Sequence, residues 1–226
     1  MENNSERNQN LQNMIGSLAH EIRNPLNSAN LHLTLLERRL AKAGASEAGA
    51  QQIAVLREEI GRLDCLLSDF LAFARPMKLS VSVNDVNRLL TQVAEEFRPD
   101  VAGKDISIEL NLDDRLSSCP FDWEHIHQVL VNLLSNAVCE IDGGGTVTLS
   151  SALSDSLIRL QVSDTGPGIP PDNNIFEPFV TTKSKGTGLG LSIARRIVEA
   201  HSGTISARNT DVGSAFLIEL PSKLEA

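Results

Sequence analysis

The sequence predicts an α+β protein in two parts: a helical hairpin over residues 1–76 that dimerises into a four-helix bundle, and an α/β sandwich over 77–226. Three observations carry this. Apolar residues before Pro76 recur at steps of three and four, the period of helices packed along a seam. After Pro76, short strand-like runs alternate with helical segments, the order of one sheet backed by helices. Eight of the 15 glycines then fall between Gly143 and Gly190, five of them in two short motifs. A chain of 226 residues, 41% of them hydrophobic, can bury a core in each part.

The first helical pattern runs from about residue 8 to 42. With Ile15 at heptad position a, Ile15, Leu18, Ile22, Ala29 and Leu36 share a and d, and Leu33 and Leu40 drift to e. His20 then falls at f, farthest from the seam, and is expected to face solvent. Pro25 withdraws an amide donor and crowds the carbonyl of Glu21, so a bend is expected within a turn of His20. Residues 43–49, AGASEAG, read as a small-residue loop. The second helix, 50–75, carries Ile53, Leu56, Ile60, Leu63, Leu67, Phe70 and Ala74 in one unbroken stripe, with Leu66, Leu71 and Phe73 widening it. Two antiparallel helices cannot cover all of these against each other, and a second copy is the natural cover.

Beyond Pro76, strands are expected over 78–83, 106–112, 146–152, 157–163, 203–208 and 215–220, and helices over 86–97, 122–140 and 189–201. The formal charge is −9. Residues 1–76 hold nine acidic and eight basic side chains, so nearly all of the excess lies in the second part. An acidic surface with Trp123 as the only Trp and no Tyr argues against nucleic acid as a partner. No run is apolar for the roughly 18 to 20 residues of a transmembrane segment, and no signal peptide directs the chain out of the cytoplasm. Cys65, Cys119 and Cys139 form no CxxC pair and read as idle thiols. His32, His125, His127 and His201 read as surface or capping residues.

Chemistry concentrates in four stretches. In SLAHEIRNPL, residues 17–26, His20, Glu21 and Asn24 together could supply a nucleophile, its orienting acceptor and a water-positioning amide. On these residues alone, a solvated or capping histidine is the commoner case. DTGPG, Asp164 to Gly168, follows a predicted strand, and GTGLGL, Gly186 to Leu191, precedes a predicted helix. Glycines there would let backbone approach a ligand, and a helix start offers unpaired amides to phosphate. Between the motifs, Phe176 and Phe179 suggest a flap, with Lys183 and Lys185 at its far end. Asn132 and Asn136 stand one turn apart on an otherwise apolar helix, where they are either oxygen donors for Mg²⁺ or structural amides. GxxxxGK[ST], a Rossmann GxGxxG and the protein-kinase loops are all missing.

Taken together, the chain resembles the transmitter core of two-component sensor histidine kinases, most nearly the soluble nitrogen-regulation type. HEIRNPL resembles their H box, NLLSNA the N box, DTGPG the G1 box, FEPF the F box, GTGLGL the G2 box, and GSAF, from Gly213, the final glycine box. The six occur in the family's order across residues 8 to 221. The resemblance implies a 1–76 dimerisation and histidine-phosphotransfer hairpin and a 77–226 catalytic domain of the type shared with gyrase and Hsp90, acting on ATP with Mg²⁺.

Residue by residue, the resemblance makes His20 the phospho-acceptor and gives Glu21 the task of holding or deprotonating its imidazole. Asn24 would position water for phosphatase action. Asn136 would ligate Mg²⁺ with Asn132 near the phosphates, and Asp164 would accept from the adenine amino group beside Gly166 and Gly168. Lys183 and the amides of Gly186, Thr187, Gly188 and Gly190 would contact phosphates, and Ser214 would close the adenine pocket. The implied partners are a second copy of the chain and a response regulator receiver domain. Only about ten residues precede the helical pattern, so the sequence reads as an excised core or as one served by a separate sensory protein. The weighed alternatives are a serine kinase or conformational ATPase of the same superfamily, or a degenerate scaffold.

Overall fold

The computed structural model describes residues 22, 24–40, 47–74, 77–116, 118–154, 156–171, 174–181 and 187–223. The chain divides into two compact units, Met1–Pro76 with Thr181–Leu189, and Met77–Val180 with Gly190–Ala226.

In the first unit, helix α1 covers 24–40 and α2 covers Glu47–Ala74. Arg57 on α2 pairs with Glu37 at 2.8 Å and donates to the Thr34 hydroxyl, while Leu40 lies beside Gly49, so the helices run antiparallel. Gly49 is thus helical rather than part of a loop ending at 49. Its missing side chain leaves room for Leu40, whose Cδ1 would stand 3.4 Å from an added Cβ. Leu33 and Ile53 are buried within the hairpin. Ile22, Leu36, Leu56 and Leu63, read from the sequence as seam residues, are about half exposed, as is Leu35. A hairpin has one inner line to bury, and here that line passes through Leu33.

The second unit begins with β1 (Ser82–Asp85), which leads into α3 (Val86–Val101). Asp85 caps α3 by accepting from Arg88 N, and the helix runs on through Pro99, four residues past its expected end. Then follow β2 (Ile106–Asn111), β3 (Ser118–Phe121), α4 (Trp123–Glu140), β4 (Gly145–Ser154), β5 (Leu157–Asp164), α5 (Gly190–Ala200), β6 (Thr204–Asn209) and β7 (Ser214–Pro221). Sequence reading misses β3 because Pro120 interrupts it. Among the described residues the strand pairs only with β1, as a two-stranded edge, where a proline is tolerated.

The main sheet has the order β2-β4-β5-β7-β6, parallel between β2 and β4 and antiparallel elsewhere. Alternation puts Val147 and Leu149 of β4, Ile158, Leu160 and Val162 of β5, and Phe216, Ile218 and Leu220 of β7 in the core. Helices α3, α4 and α5 pack on the sheet, with α4 touching both of the others. The register continues these inward rows to the sheet's end, where Val147, Asp164 and Ser214 stand side by side. The period of two that buries Val162 therefore also turns the Asp164 side chain inward.

Candidate functional site

A carboxylate in a core row must be satisfied by neighbouring donors, because burying it unpaired is costly. Asp164 is 7% exposed. Its Oδ2 accepts the Ser214 hydroxyl at 2.6 Å, and its Oδ1 accepts Gly166 N at 2.8 Å and Ser214 N at 3.4 Å. An ionised carboxylate offers about four acceptor positions, so one more donor can be received. A hydrogen-bond donor on a heterocyclic base fits that vacancy in chemistry.

The backbone around Asp164 is crowded in a way that only glycine permits. A Cβ on Gly213 would stand 2.9 Å from Gly166 N and closer still to the Asp164 carbonyl. Gly168 adopts φ +82°. At the near end of this loop, Thr165 extends the β4–β5 ladder: its N donates to Thr146 O, and its hydroxyl accepts Thr146 N at 3.0 Å.

Helix α4 connects this corner to the start of α5. Asn132 Nδ2 donates to Gly190 O at 3.1 Å. Two turns on, Glu140 O lies 3.5 Å from the position of a Cβ on Gly166. The separation of eight residue steps corresponds to about 12 Å along the axis, with Asn136 midway. One helix thus presents Asn132 to Gly190 of the second glycine motif and its C-terminus to the first. Both asparagines are half-buried on a helix whose other inward residues are Leu130, Leu133, Leu134, Ala137 and Val138.

The structure accordingly brings together Asp164, Gly166, Gly168 and Ser214 at the C-terminal end of α4, and Asn132 with Gly190 at the middle of the helix. Thr187 and Gly188 belong to the first unit, where Leu189 N donates to the Thr187 hydroxyl and Gly188 has φ +68°. Asn24 is exposed on α1. His20, Glu21, Lys183 and Gly186 lie outside the described residues, as does the link from His20 to the expected bend. In the F box, Phe176 is half-buried, while Phe179 is 63% exposed and holds φ +66°, a conformation that costs a non-glycine residue on the order of 1 kcal/mol. Among the described residues, no three His, Cys, Asp or Glu side chains are grouped to hold a metal. Asn136, half-buried on α4, carries an amide oxygen, a donor of the kind Mg²⁺ takes.

One cluster escapes sequence reading. His201, read as a surface or capping residue, accepts Asp122 N at Nε2 (3.0 Å) and donates from Nδ1 to Ile197 O (2.8 Å), which assigns it the neutral Nδ1–H tautomer. Burial lowers its pKa, against the opposing pull of the Ile197 carbonyl and Asp122. Asp122 in turn caps α4 through His125 N and receives Ser80 N from the segment before β1. Burial raises its carboxyl, but these two amides and the His125 ring outweigh that and hold it below the usual range. His127 pairs with Glu96, and His125 joins the cluster, with Nδ1 3.0 Å from Asp122 Oδ2.

Residues 10–78 match the His Kinase A (phospho-acceptor) domain, and residues 121–224 match the histidine kinase-, DNA gyrase B-, and HSP90-like ATPase family. The chain is similar to the sensor histidine kinase ZraS of Escherichia coli (strain K12), with 33% identity over 93% of this chain and 45% of that protein. It therefore spans under half the length of that relative. Among solved structures, full-length ShkA in complex with AMPPNP superposes with a TM-score of 0.79 at 33% identity, over 95% of this chain and 46% of that one. The catalytic domain of histidine kinase ThkA matches at 33% identity with a TM-score of 0.61, over 64% of this chain and 97% of that one. ThkA in complex with the response regulator protein TrrA matches at 29% identity with a TM-score of 0.71, over 97% of this chain and 64% of that one. Among the described residues, no helix is long and apolar enough to cross a membrane. Its phospho-acceptor helices, its ATPase fold and these relatives show that the chain belongs to the two-component sensor histidine kinases and contains their transmitter core.

Proposed function

We propose that this core phosphorylates His20 from Mg-ATP and passes the phosphoryl group to an aspartate of a response regulator in the cytoplasm. The observation that carries the reading is α4, whose C-terminus reaches the Asp164–Ser214 corner and whose middle, at Asn132, reaches Gly190 about 12 Å away along the helix axis. Such a span suits a ligand with a base at one end and phosphates at the other. AMPPNP in ShkA supports ATP as that ligand, and the ThkA–TrrA complex supports a receiver domain as acceptor. In this reading residues 1–76 form the phosphotransfer hairpin and 77–226 the catalytic domain. Half-exposed Leu36, Leu56 and Leu63 support pairing with a second copy, which would cover them.

The residues divide the work as follows. Asp164 receives the adenine amino hydrogen in its remaining acceptor position, with Gly166 and Gly168 allowing the base to lie close and Ser214 holding the carboxylate. Asn136 offers an amide oxygen to Mg²⁺, which neutralises phosphate charge when bound. Asn132, Lys183 and the backbone of Gly186, Thr187, Gly188 and Gly190 hold the phosphates. The neutral imidazole of His20 attacks the γ-phosphorus, the bond to the β,γ-bridging oxygen breaks, and ADP departs with that electron pair. Glu21 orients the ring and takes its proton. In the second step a carboxylate oxygen of the regulator attacks the same phosphorus and the N–P bond breaks. In the separate phosphatase reaction Asn24 aligns water against the regulator's acyl phosphate, and hydrolysis frees the aspartate carboxylate and inorganic phosphate.

Incubation of the chain with γ-labelled ATP tests this. Label that is acid-labile, base-stable and lost in His20→Gln is expected. Label that persists in that variant, or that survives acid, contradicts the assignment.

A further inference from the structure

The loop from Asp164 to Ile169 is held at its near end by Asp164 and Thr165, whose partners lie on neighbouring strands. Its far end has no ladder to join. There the side chain of Asn209, the last residue of β6, takes the place of a strand: its Oδ1 accepts Ile169 N at 2.6 Å, and its Nδ2 donates to Ile169 O at 2.9 Å. One carboxamide thus satisfies both backbone groups of one residue, as an antiparallel neighbour would. The fit is close, since a Cβ on Gly168 would stand 2.8 Å from Asn209 Oδ1, and the φ of +82° at Gly168 aims the chain toward the amide. Asn209 is itself anchored. Its backbone stands opposite Ser214 in the β6–β7 register, and Thr210 N bonds to Gly213 O directly beyond.

We infer that Asn209 is a positioning residue for nucleotide binding, a clamp that fixes Pro167, Gly168 and Ile169 over the base and ties that loop to the strand end carrying Ser214. The inference rests on the reading of Asp164 and Ser214 as the base-binding corner. Asn209 lies outside all six boxes and touches no group that reacts. It acts by holding the loop in its binding shape before the ligand arrives, which lowers the ordering cost of binding. Losing the clamp weakens nucleotide binding while the phosphoryl-transfer step, once ATP is bound, proceeds at its former rate.

The test compares wild type, Asn209→Ala, Asn209→Asp and Asp164→Asn in the full chain. AMPPNP affinity is measured by calorimetry, KM and kcat for autophosphorylation by labelling, and Ile169 amide protection by hydrogen exchange. For Asn209→Ala, a roughly tenfold weaker AMPPNP affinity and higher KM is expected, the size of one to two net hydrogen bonds, with kcat within about twofold. Ile169 protection falls while β5 and β7 amides stay protected. Asn209→Asp keeps the acceptor for Ile169 N but sets a carboxylate against Ile169 O, and is expected between wild type and Ala in affinity. Unchanged affinity in Asn209→Ala, or a fall in kcat with KM unchanged, overturns the inference. General loss of protection across β5 and β7 in both Asn209 variants also overturns it, because it marks Asn209 as a folding residue only. Asp164→Asn separates the two claims. If it binds AMPPNP as wild type does, the base-binding corner itself is misassigned; if it loses binding while Asn209→Ala does not, only the clamp fails.

Discussion

Replacing Ser214 with Ala removes one atom from the row that ends the sheet, and the cost can be worked from the partners left behind. The hydroxyl is the only donor to Asp164 Oδ2 among the bonds described above, at 2.6 Å, and both residues are buried. A hydrogen bond to a charged group contributes about 1.5–3 kcal/mol, and its loss leaves a buried acceptor unsatisfied. Gly166 N and Ser214 N still reach Oδ1. The expected destabilisation is therefore near the middle of that range, about 2 kcal/mol, or roughly a 30-fold change in the unfolding equilibrium. For a unit of this size that corresponds to a midpoint about 4–8 °C lower. Trp123 makes the measurement selective. It is the single Trp, it opens α4, and it stacks on Phe121 with ring centroids 6.3 Å apart, so its fluorescence reports the unit that holds Asp164. A Ser214→Ala midpoint within about 1 °C of wild type would refute the view that this hydroxyl holds the carboxylate.

Three further outcomes follow from the same structure. Gly213→Ala drives a methyl into the Asp164 carbonyl and Gly166 amide and should lower stability by about 1–3 kcal/mol on the Trp123 signal; an unperturbed variant would mean the strand end yields freely. Asn24→Ala, at an exposed helical position, should keep autophosphorylation and lose dephosphorylation of the regulator, whereas equal loss of both would make Asn24 structural. His201 has a folded pKa below its ordinary 6.5, so its contribution to stability is complete above that pH and declines as pH falls below it toward the folded value. Urea midpoints should accordingly drop on going from pH 7 to below 6.5 and drop less in His201→Gln; equal slopes in the two proteins would exclude His201 as the cause.

What could be read from the sequence was whatever repeats locally. Strands β4 and β5 alternate, as does β7 from Phe216 onward, and the three lie within a few residues of expectation. Helix α4 was legible from its apolar period, whereas Asp122, read as its first residue, is its cap. Strand β3 was not, because Pro120 breaks the local pattern and only the pairing with β1 makes it a strand. The hairpin's stripe was legible as apolar, but which of its lines faces inward was not: period alone cannot separate Leu33 from Leu36. In the candidate site, the glycine motifs and the two asparagines could be marked in advance by residue type and spacing. The contacts that give them a shape join distant positions: Ser214 to Asp164 across 50 residues, Asn209 to Ile169 across 40, and His201 to Asp122 across 79. None of the three is signalled by its own neighbourhood, since each depends on sheet register or helix packing.

The central claim is that phosphate from ATP comes to rest on His20, and site-resolved mass spectrometry tests it most directly. After incubation with Mg-ATP, tryptic digestion at neutral pH isolates residues 8–23, a peptide holding His20 together with the hydroxyl of Ser17. The account predicts one phosphate on this peptide, fragmenting to His20 and released by brief acid. Phosphate on Ser17, phosphate stable to acid, or phosphate confined to other peptides would contradict it.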